Sequence, residues 1–248
     1  PQNLSGQIAP IAADMRSAEQ MERVLAGGYD AVIATITPGT FSEAGYRASY
    51  LAAAEALHSA VEAVESPPKL IIWASSTSVY GDHLGDWVDE SATPSAESFS
   101  GRILRQAEQV IARLPCQSVI VRFSGIYGPG RTRLLDQVSS GIGRPVAPTQ
   151  WSNRIHSVDC AAVFVHLINL QNSGVSLHNL YLASDCEPVT QHDLRRWLAA
   201  RMGISLQERA VAPKASRRCS NSRLLDSGFR FTYPSFREGY SALLTDLK

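Results

Sequence analysis

The chain has few of the residues on which several common kinds of site depend. Lysine occurs only three times and cysteine only four times among 248 residues. The cysteines form no C-x-x-C pair, so we expect reduced thiols and a cytoplasmic protein rather than a disulfide framework. The six histidines show no H-E-x-x-H or similar ligand spacing, so no metal site is expected.

Charge and hydropathy argue against two further classes of partner. The 23 basic and 23 acidic side chains give a formal net charge of +0, so we expect neither a nucleic acid nor an anionic membrane surface as a partner. No apolar run approaches the roughly 20 residues of a transmembrane helix. At 44% hydrophobic residues, the chain can bury the core of one large domain, or of one domain with a small lobe. A small-molecule substrate is the expected partner.

One stretch combines a buried strand with a cluster of hydroxyl groups. Leu70–Ala74 is an unbroken apolar run, typical of a strand whose two faces are both buried. Four hydroxyl residues, 75–78, follow it, and then Val79-Tyr80-Gly81. In a parallel α/β sheet the ligand crevice lies beyond the carboxyl ends of the strands, where hydroxyls can reach a substrate carbonyl or alcohol. An ordinary strand followed by a Ser/Thr turn fits the same residues.

A second stretch follows the same order. The apolar run Ser118–Val121 leads into Arg122–Gly130, which reads RFSGIYGPG, and a predicted helix lies between the two stretches. Together they resemble the extended short-chain dehydrogenase/reductases, the NAD-dependent epimerase/dehydratase family. In that family the fifth strand ends in an SSxxVYG-like segment and the sixth in a segment like R-x-x-x-V-Y-G-P-G. The resemblance extends from about Asp14 to Leu244.

The resemblance implies an α/β fold, a Rossmann-type doubly wound parallel sheet with a small C-terminal substrate lobe. The predicted dinucleotide-binding core comprises residues 1–123 and 153–185, and the predicted lobe residues 124–152 and 186–248. In the family the fold begins with a strand, a Gly-rich turn and a helix. Pro1–Pro10 contains no such turn, so we expect that first β-α-β part to be missing from these residues.

The pattern predicts further elements along the chain. Gly141-Ile142-Gly143 lacks a third glycine and follows no strand, so we interpret it as a helix C-terminal cap. The long helix Ser42–Val64 corresponds to one that often contributes to a homodimer in the family, and a homodimer is therefore possible here. The remaining predicted helices are 18–26, 97–114, 131–141, 160–170, 190–200, 220–227 and 235–244. The remaining predicted strands are 11–14, as the end of the family's third strand, 30–36, a short strand within 153–159, and 179–183.

The resemblance also implies a bound NAD or NADP. In the family an Asp at the position of Asp14 accepts a hydrogen bond from the adenine amino group; the alternative is that Asp14 caps the helix that follows. The residue that distinguishes NAD from NADP lies at the end of the family's second strand, outside these residues, so that choice stays open. The cofactor-binding residues implied are Asp14, Thr35, Ile36, Thr37, Ser75, Arg122, Phe123, Ser124 and Ile126.

The family's proton-transfer residues are not in their expected places. In the family a Ser or Thr, a Tyr and a Lys cooperate, and the Tyr acts as general acid/base with a pKa lowered by the nearby ammonium. The hydroxyl role falls on Ser76. The Tyr and Lys of a Y-G-x-x-K-x-x-x-E pattern are replaced by Ser100 and Leu104, although Gly101 and Glu108 are in place. Arg105 lies roughly 140° around the helix from position 100 and cannot substitute.

Three functions remain open at this point. The first is an NAD(P)-dependent enzyme acting on a sugar-nucleotide-like or other hydroxyl or carbonyl substrate with non-standard catalytic residues. The second is a redox-inactive dinucleotide-binding sensor or scaffold, and the third a structural remnant that binds no cofactor. The catalytic candidates are Ser76, Tyr80 and Ser100, with Tyr127 and His156 as further acid/base candidates.

The implied substrate contacts are Thr77, Arg131, Asn153, Arg154 and His156. The last three belong to a segment that resembles the family's R-x-I-H-V-x-D, and they should surround one polar crevice together with Arg131. For Asn153 and Arg154 the alternative is that they only satisfy loop carbonyls. Arg217-Arg218 is most simply a solvated surface, with contact to an anionic substrate group as the alternative.

Overall fold

The centre of the fold is a parallel sheet of four strands. The computed structural model describes residues 8–209, 212 and 215–246. Its strands are β1 Ala31–Ala34, β2 Leu70–Ser76, β3 Trp87–Val88, β4 Gln117–Phe123, β5 Gly125–Tyr127, β6 Ile142–Gly143, β7 Trp151–Ser152, β8 Arg154–His156, β9 Leu180–Ala183, β10 Val189–Thr190, β11 Gln207–Glu208 and β12 Arg218–Cys219. The central sheet has the order β1-β2-β4-β9, and all its pairs are parallel.

Nine α-helices lie within the described residues. They are α1 Ala18–Leu25, α2 Glu43–Tyr46, α3 Ala52–Ala63, α4 Phe99–Ile111, α5 Arg133–Ser139, α6 Ser157–Asn172, α7 Gln191–Met202, α8 Ser222–Asp226 and α9 Phe236–Asp246. A π-helical turn, Arg47–Leu51, joins α2 to α3, and a 3-10 turn, Thr77–Tyr80, follows β2.

Helices cover both faces of the sheet, which confirms the predicted doubly wound α/β class. Side chains alternate between the two faces along a strand. Ile71 and Trp73 of β2 therefore pack in a cluster with residues of α1, α3 and α4. Leu70 and Ile72 pack in a second cluster with residues of α6 and α8. Both faces of β2 are buried, which explains its unbroken apolar sequence.

A third hydrophobic cluster lies apart from the sheet. It unites Tyr127 and residues of α5 with residues of α7 and α9, including Leu198 and Phe236. All its members come from segments 124–152 and 186–248. The division into a core and a lobe at those boundaries stays a prediction.

The structure corrects three details of the sequence analysis. The N-cap of α1 is Ser17, whose side chain accepts from the amide of Gln20, and not Asp14. The predicted helix 42–64 is interrupted by the π-helical turn. Residues 11–14, predicted as the end of a strand, form no strand. Gly141 does follow α5 as a C-terminal cap: its φ is +73°, and its amide donates to Val138.

In the described part of the chain, no helix has the length and apolarity needed to cross a membrane. The same residues contain no group of three His, Cys, Asp or Glu side chains that could hold a metal ion.

Candidate functional site

A cavity of about 640 Å³ opens beside the carboxyl ends of the central strands. Thr77, directly after β2, and Gly125–Tyr127, directly after β4, form one side of it. Helices α5 and α7 and the strands β7 and β8 supply most of the remainder. The cavity therefore lies at the edge of the sheet where parallel α/β folds bind their ligands.

The cavity is strongly basic. It is lined by six arginines, which are Arg131, Arg133, Arg144, Arg154, Arg195 and Arg217. Among the described residues, no carboxylate lines it. None of the six forms an ion pair within the described part of the chain. Burial and the neighbouring charges of Arg144 and Arg154 lower the pKa of Arg195 to about 10. Like charges gathered without a counter-charge favour an anionic ligand.

Three of these arginines also have buried nitrogen atoms that find no hydrogen-bond partner in the described part of the chain. They are the Nε atoms of Arg154, Arg195 and Arg217. Other atoms of the same side chains are fixed, because Arg195 Nη1 donates to Ile142 O at 3.0 Å and Arg217 Nη1 donates to Gly81 O at 2.6 Å. Buried donors normally find acceptors, so these guanidinium groups are positioned with hydrogen-bonding capacity to spare.

The cavity brings together four of the five predicted substrate residues. Thr77, Arg131, Asn153 and Arg154 line it. Asn153 has no free amide group, however, because its Nδ2 donates to Arg217 O and its Oδ1 accepts from the Cys219 amide. Its side chain ties the segment around β12 to β8, as the alternative interpretation of this residue held.

His156 is a correction to the predicted substrate set. It is buried and does not line the cavity. Its Nδ1 accepts from the Val158 amide at 3.3 Å, so it caps α6, and its ring packs on Tyr233 at 4.0 Å between centroids. Burial lowers the pKa of His156.

Two of the predicted cofactor residues, Ser75 and Arg122, donate hydrogen bonds to one buried carboxylate. Glu108 of α4, fully buried, accepts from Arg122 Nε at 2.9 Å, from Arg122 Nη2 at 2.7 Å and from the Ser75 hydroxyl at 2.7 Å. This contact joins α4 to β2 and β4. The Ser75 hydroxyl and the Nε and Nη2 atoms of Arg122 are therefore used within the fold, whereas Arg122 Nη1 is buried and has no hydrogen-bond partner among the described residues.

The residues around the end of β4 differ in the atoms that they leave for a cofactor. The Phe123 side chain lies in the core against Phe164, at 5.3 Å between centroids, so its predicted cofactor contact is limited to the backbone. Ser124 is buried, and its Oγ has no hydrogen-bond partner among the described residues. Ile126 is half-buried and lines the cavity. The cofactor contacts of Ser124 and Ile126 stay predictions.

The predicted adenosine side of the cofactor site lies in an open loop. Thr35 and Thr37 follow β1 and are exposed, whereas Ile36 packs on the core. The Asp14 carboxylate is held by Arg16, whose Nη2 donates to it at 2.7 Å, and this contact lowers the pKa of Asp14 to about 2. The adenine contact of Asp14 stays a prediction.

The structure does not support the tyrosine candidates for proton transfer. Tyr80 is 0% exposed, its hydroxyl has no partner within the described residues, and burial raises its pKa. Its ring lies under the Arg122 guanidinium, 4.8 Å from the centroid. Tyr127 contributes to the wall of the cavity, but its hydroxyl donates to Ser235 O at 3.4 Å and burial raises its pKa. The Tyr80 phenol is enclosed and the Tyr127 phenol is engaged within the fold, which disfavours both as proton-transfer groups.

The hydroxyl turn and the start of α4 lie together. The amino end of α4 packs on the 3-10 turn so closely that a Cβ on Gly101 would come 2.7 Å from Ser78 O. Ser76 Oγ caps that turn by accepting from the Ser78 amide. Ser100 is half-buried on the first turn of α4, with its Oγ 3.2 Å from Ser98 Oγ. The catalytic roles of Ser76 and Ser100 stay predictions.

Leu104 occupies an apolar environment. It is 3% exposed and belongs to a cluster with Val79, Tyr80, Val88, Leu182 and Cys219. The position that holds the family's lysine is therefore part of the hydrophobic core in this chain.

Sequence reasoning missed three arginines of the cavity, Arg133, Arg144 and Arg195. A local charge bias was visible, because residues 131–154 contain four arginines and a single carboxylate. Arg195 gave no such signal, since it lies on α7, far along the chain. For Arg217, which lines the cavity, the alternative of an anionic contact is the one that the geometry favours.

Comparisons with known proteins place the fold in one family. No family model matches the chain. A protein assigned to the NAD-dependent epimerase/dehydratases from Methylobacillus flagellatus is 34% identical, with a TM-score of 0.80 over 99% of this chain and 86% of that one. The UDP-glucuronic acid 4-epimerase from Bacillus cereus, in complex with UDP-glucuronic acid and NAD, is 18% identical, with a TM-score of 0.79 over 97% and 82%.

A curated relative matches over a shorter stretch. Protein YeeZ of Escherichia coli K12 is 47% identical over 62 residues, which are 25% of this chain and 22% of that protein. The matched segment thus spans about a fifth of the curated relative's length. The similarity to the Methylobacillus protein extends over nearly the whole chain together with the fold. The chain belongs to the NAD-dependent epimerase/dehydratase family.

Proposed function

We propose that the protein binds NAD or NADP and acts on a polyanionic, hydroxyl- or carbonyl-bearing substrate similar to a sugar nucleotide, using proton-transfer groups other than the usual Tyr and Lys. The observation that carries the proposal is the cavity lined by six arginines and, among the described residues, by no carboxylate. Family membership and the bound UDP-glucuronic acid and NAD of the Bacillus cereus enzyme support it.

The chemistry of the cavity suits phosphate groups. A guanidinium presents N–H donors in a planar fork that matches phosphate and carboxylate oxygens. The spare Nε donors of Arg154 and Arg195 and the depressed pKa of Arg195 both mark a cluster of positive charge that lacks its partner. A diphosphate would supply several acceptors and the missing negative charge in one group.

The residues at the sheet edge are compatible with a dinucleotide. Thr35 and Thr37 would face the adenosine half, and the free Ser124 hydroxyl with the backbone of Phe123 would face the nicotinamide half. The nicotinamide supplies hydride-transfer chemistry when bound. The protein contributes the positions of these donors and acceptors and the basic cavity beside them.

Calorimetric titration with UDP-glucuronate, UDP-glucose, UMP and uridine tests the substrate proposal. We expect affinity to be highest for UDP-glucuronate, lower for UDP-glucose and UMP, which carry similar charge, and lowest for uridine, which has no phosphate; it should also weaken with added salt. Arg154→Gln should weaken UDP-glucose binding about 10- to 100-fold, since hydrogen bonds to charged groups contribute about 1.5 to 3 kcal/mol.

The matched control is Arg23→Gln, which removes the same charge from the exposed surface of α1 and should leave affinity within about twofold. Equal affinities for uridine and UDP-glucose would refute the proposal. So would an Arg154→Gln protein that binds UDP-glucose as tightly as the wild type.

A redox-inactive binding protein is the second candidate. It is favoured by the burial of Tyr80, Tyr127 and His156, the three groups that could have replaced the missing Tyr and Lys. An assay of the protein with NAD or NADP and a panel of sugar nucleotides distinguishes the two candidate functions. The quantity measured is the absorbance of the reduced nicotinamide. Binding of both ligands without any absorbance change or any conversion of the sugar would favour this second candidate.

A further inference from the structure

An exposed aromatic cluster lies beside the first turn of α4. Phe41, Tyr46 and Phe99 meet edge to face, with centroid distances of 5.6 Å for Phe41–Tyr46, 5.5 Å for Tyr46–Phe99 and 5.3 Å for Phe41–Phe99. Phe41 is 77% exposed, and Tyr46 is half-buried. The cluster is formed by the loop after β1 and the amino end of α4. It therefore lies at the carboxyl edge of the sheet, where ligands bind in α/β folds.

Tyr46 brings a phenol beside the first turns of α4. Its ring contacts Phe99, the first residue of that helix. Tyr46 also packs on the hydrophobic cluster that contains Leu104 and Tyr80. A different helix thus supplies a phenol beside the part of α4 in which the family has its Tyr and Lys.

The π-helical turn accounts for the direction of Tyr46. In an uninterrupted α-helix, Tyr46 would lie about 20° from Leu57, a residue of the face that packs on the sheet. The turn Arg47–Leu51 contains one extra residue per turn, which rotates the preceding residues by about 100° relative to α3. Tyr46 therefore lies against α4 instead of under α3. Such π-turns are frequent at functional sites.

Two neighbouring tyrosines are placed differently from Tyr46. Tyr80 is fully buried. Tyr50 contacts Tyr46 at 5.2 Å but lies one turn further from the sheet edge. Within the described residues the Tyr46 hydroxyl has no hydrogen-bond partner, and burial raises the pKa of Tyr46, so at neutral pH it is a hydrogen-bond donor.

We propose that the Tyr46 hydroxyl donates a hydrogen bond to the bound dinucleotide, as a contact from α2 that replaces the phenol absent from α4. The inference rests on the proposed function, since it requires that a nicotinamide dinucleotide binds at this edge of the sheet. The exposed aromatic cluster would form the apolar side of the same site.

Calorimetric titration of the full-length protein with NADH and NADPH, for wild type and Tyr46→Phe, tests the inference. The variant retains the ring and its contacts and loses only the hydroxyl. We expect the affinity for the preferred dinucleotide to fall about three- to tenfold. Thermal stability should stay unchanged, because the hydroxyl makes no intramolecular hydrogen bond within the described residues.

Tyr50→Phe is the matched control, since it makes the same chemical change one turn away and should keep the affinity within about twofold. Unchanged affinity in Tyr46→Phe, with a wild type that binds, would overturn this inference and leave the proposed function intact. Equal losses in both variants would overturn it as well. A wild type that binds neither NADH nor NADPH would overturn the proposed function and this inference with it.

Discussion

Restoring the family's lysine should destabilise this protein. The substitution is Leu104→Lys, on the helix face where the Y-G-x-x-K pattern places the lysine. Leu104 is 3% exposed among Val79, Tyr80, Leu182 and other apolar side chains. The Arg122 guanidinium, which lies over the Tyr80 ring, is already paired with Glu108. A lysine at position 104 would therefore place its ammonium among apolar side chains.

The magnitude has two parts. Removing a buried leucine costs about 2 kcal/mol of the free energy of unfolding. If burial lowers the lysine pKa from about 10.4 to about 7, keeping the amine neutral at pH 7 costs about 5 kcal/mol more. The sum of about 7 kcal/mol is comparable to the whole stability of a typical domain, which is about 5 to 15 kcal/mol.

The pH dependence separates this cause from simple loss of packing. A lysine whose folded pKa is depressed releases its proton on folding, so the unfolded state binds more protons between pH 7 and 10. Stability of Leu104→Lys should therefore rise with pH across that window, by about 1.4 kcal/mol per unit. Leu104→Met, which keeps an apolar chain of similar volume, should cost less than about 1.5 kcal/mol and show no such dependence.

Urea denaturation at pH 7, 8.5 and 10 measures the free energy of unfolding of the wild type, Leu104→Lys and Leu104→Met. A Leu104→Lys protein within about 1 kcal/mol of wild type at pH 7 would refute the reasoning, because position 104 would then be open to solvent. The double variant Ser100→Tyr with Leu104→Lys should share this instability. Restoring both groups is accordingly a poor route to turnover unless the surrounding cluster is changed as well.

Three further predictions concern buried polar groups. Glu108→Gln should lower the free energy of unfolding by about 3 to 5 kcal/mol in urea denaturation, because it leaves the buried Arg122 guanidinium without its carboxylate. The control is Glu43→Gln, which removes a carboxylate from an exposed ion pair and should change the free energy of unfolding by less than about 1 kcal/mol. Burial raises the pKa of Asp185 to about 8. The protonated side chain of Asp185 therefore contributes fully to stability below about pH 4, and this contribution is lost as the pH rises toward 8. Asp185→Asn should therefore gain thermal stability relative to wild type at pH 8 and little at pH 4, and an equal difference at both values would contradict this. Asn153→Ala removes both side-chain hydrogen bonds to the segment around β12. It should therefore lower the melting temperature and increase the rate of amide hydrogen exchange in that segment.

The sequence by itself determined the fold class and the position of the site. Apolar runs such as Leu70–Ala74 predict strands buried on both faces because burial of apolar surface dominates folding. The order of strands and helices then restricts the sheet to a parallel α/β arrangement. Ligand crevices of such sheets lie at one edge, and this rule together with the family resemblance predicted Thr77 and Arg154 as site residues, both of which line the cavity.

Only the tertiary structure decided what the individual side chains do. Ser75, Arg122 and His156 are polar residues at the right edge of the sheet, yet each is used internally: Ser75 and Arg122 by Glu108, and His156 as the cap of α6. A sequence shows the type of a residue and not whether its hydrogen-bonding groups are already satisfied, because their partners lie on other elements. The sequence does not reveal the cavity of six arginines for the same reason. The net charge of the whole chain is zero, and the six arginines come together only where α5, α7, β8 and the segment before β12 meet.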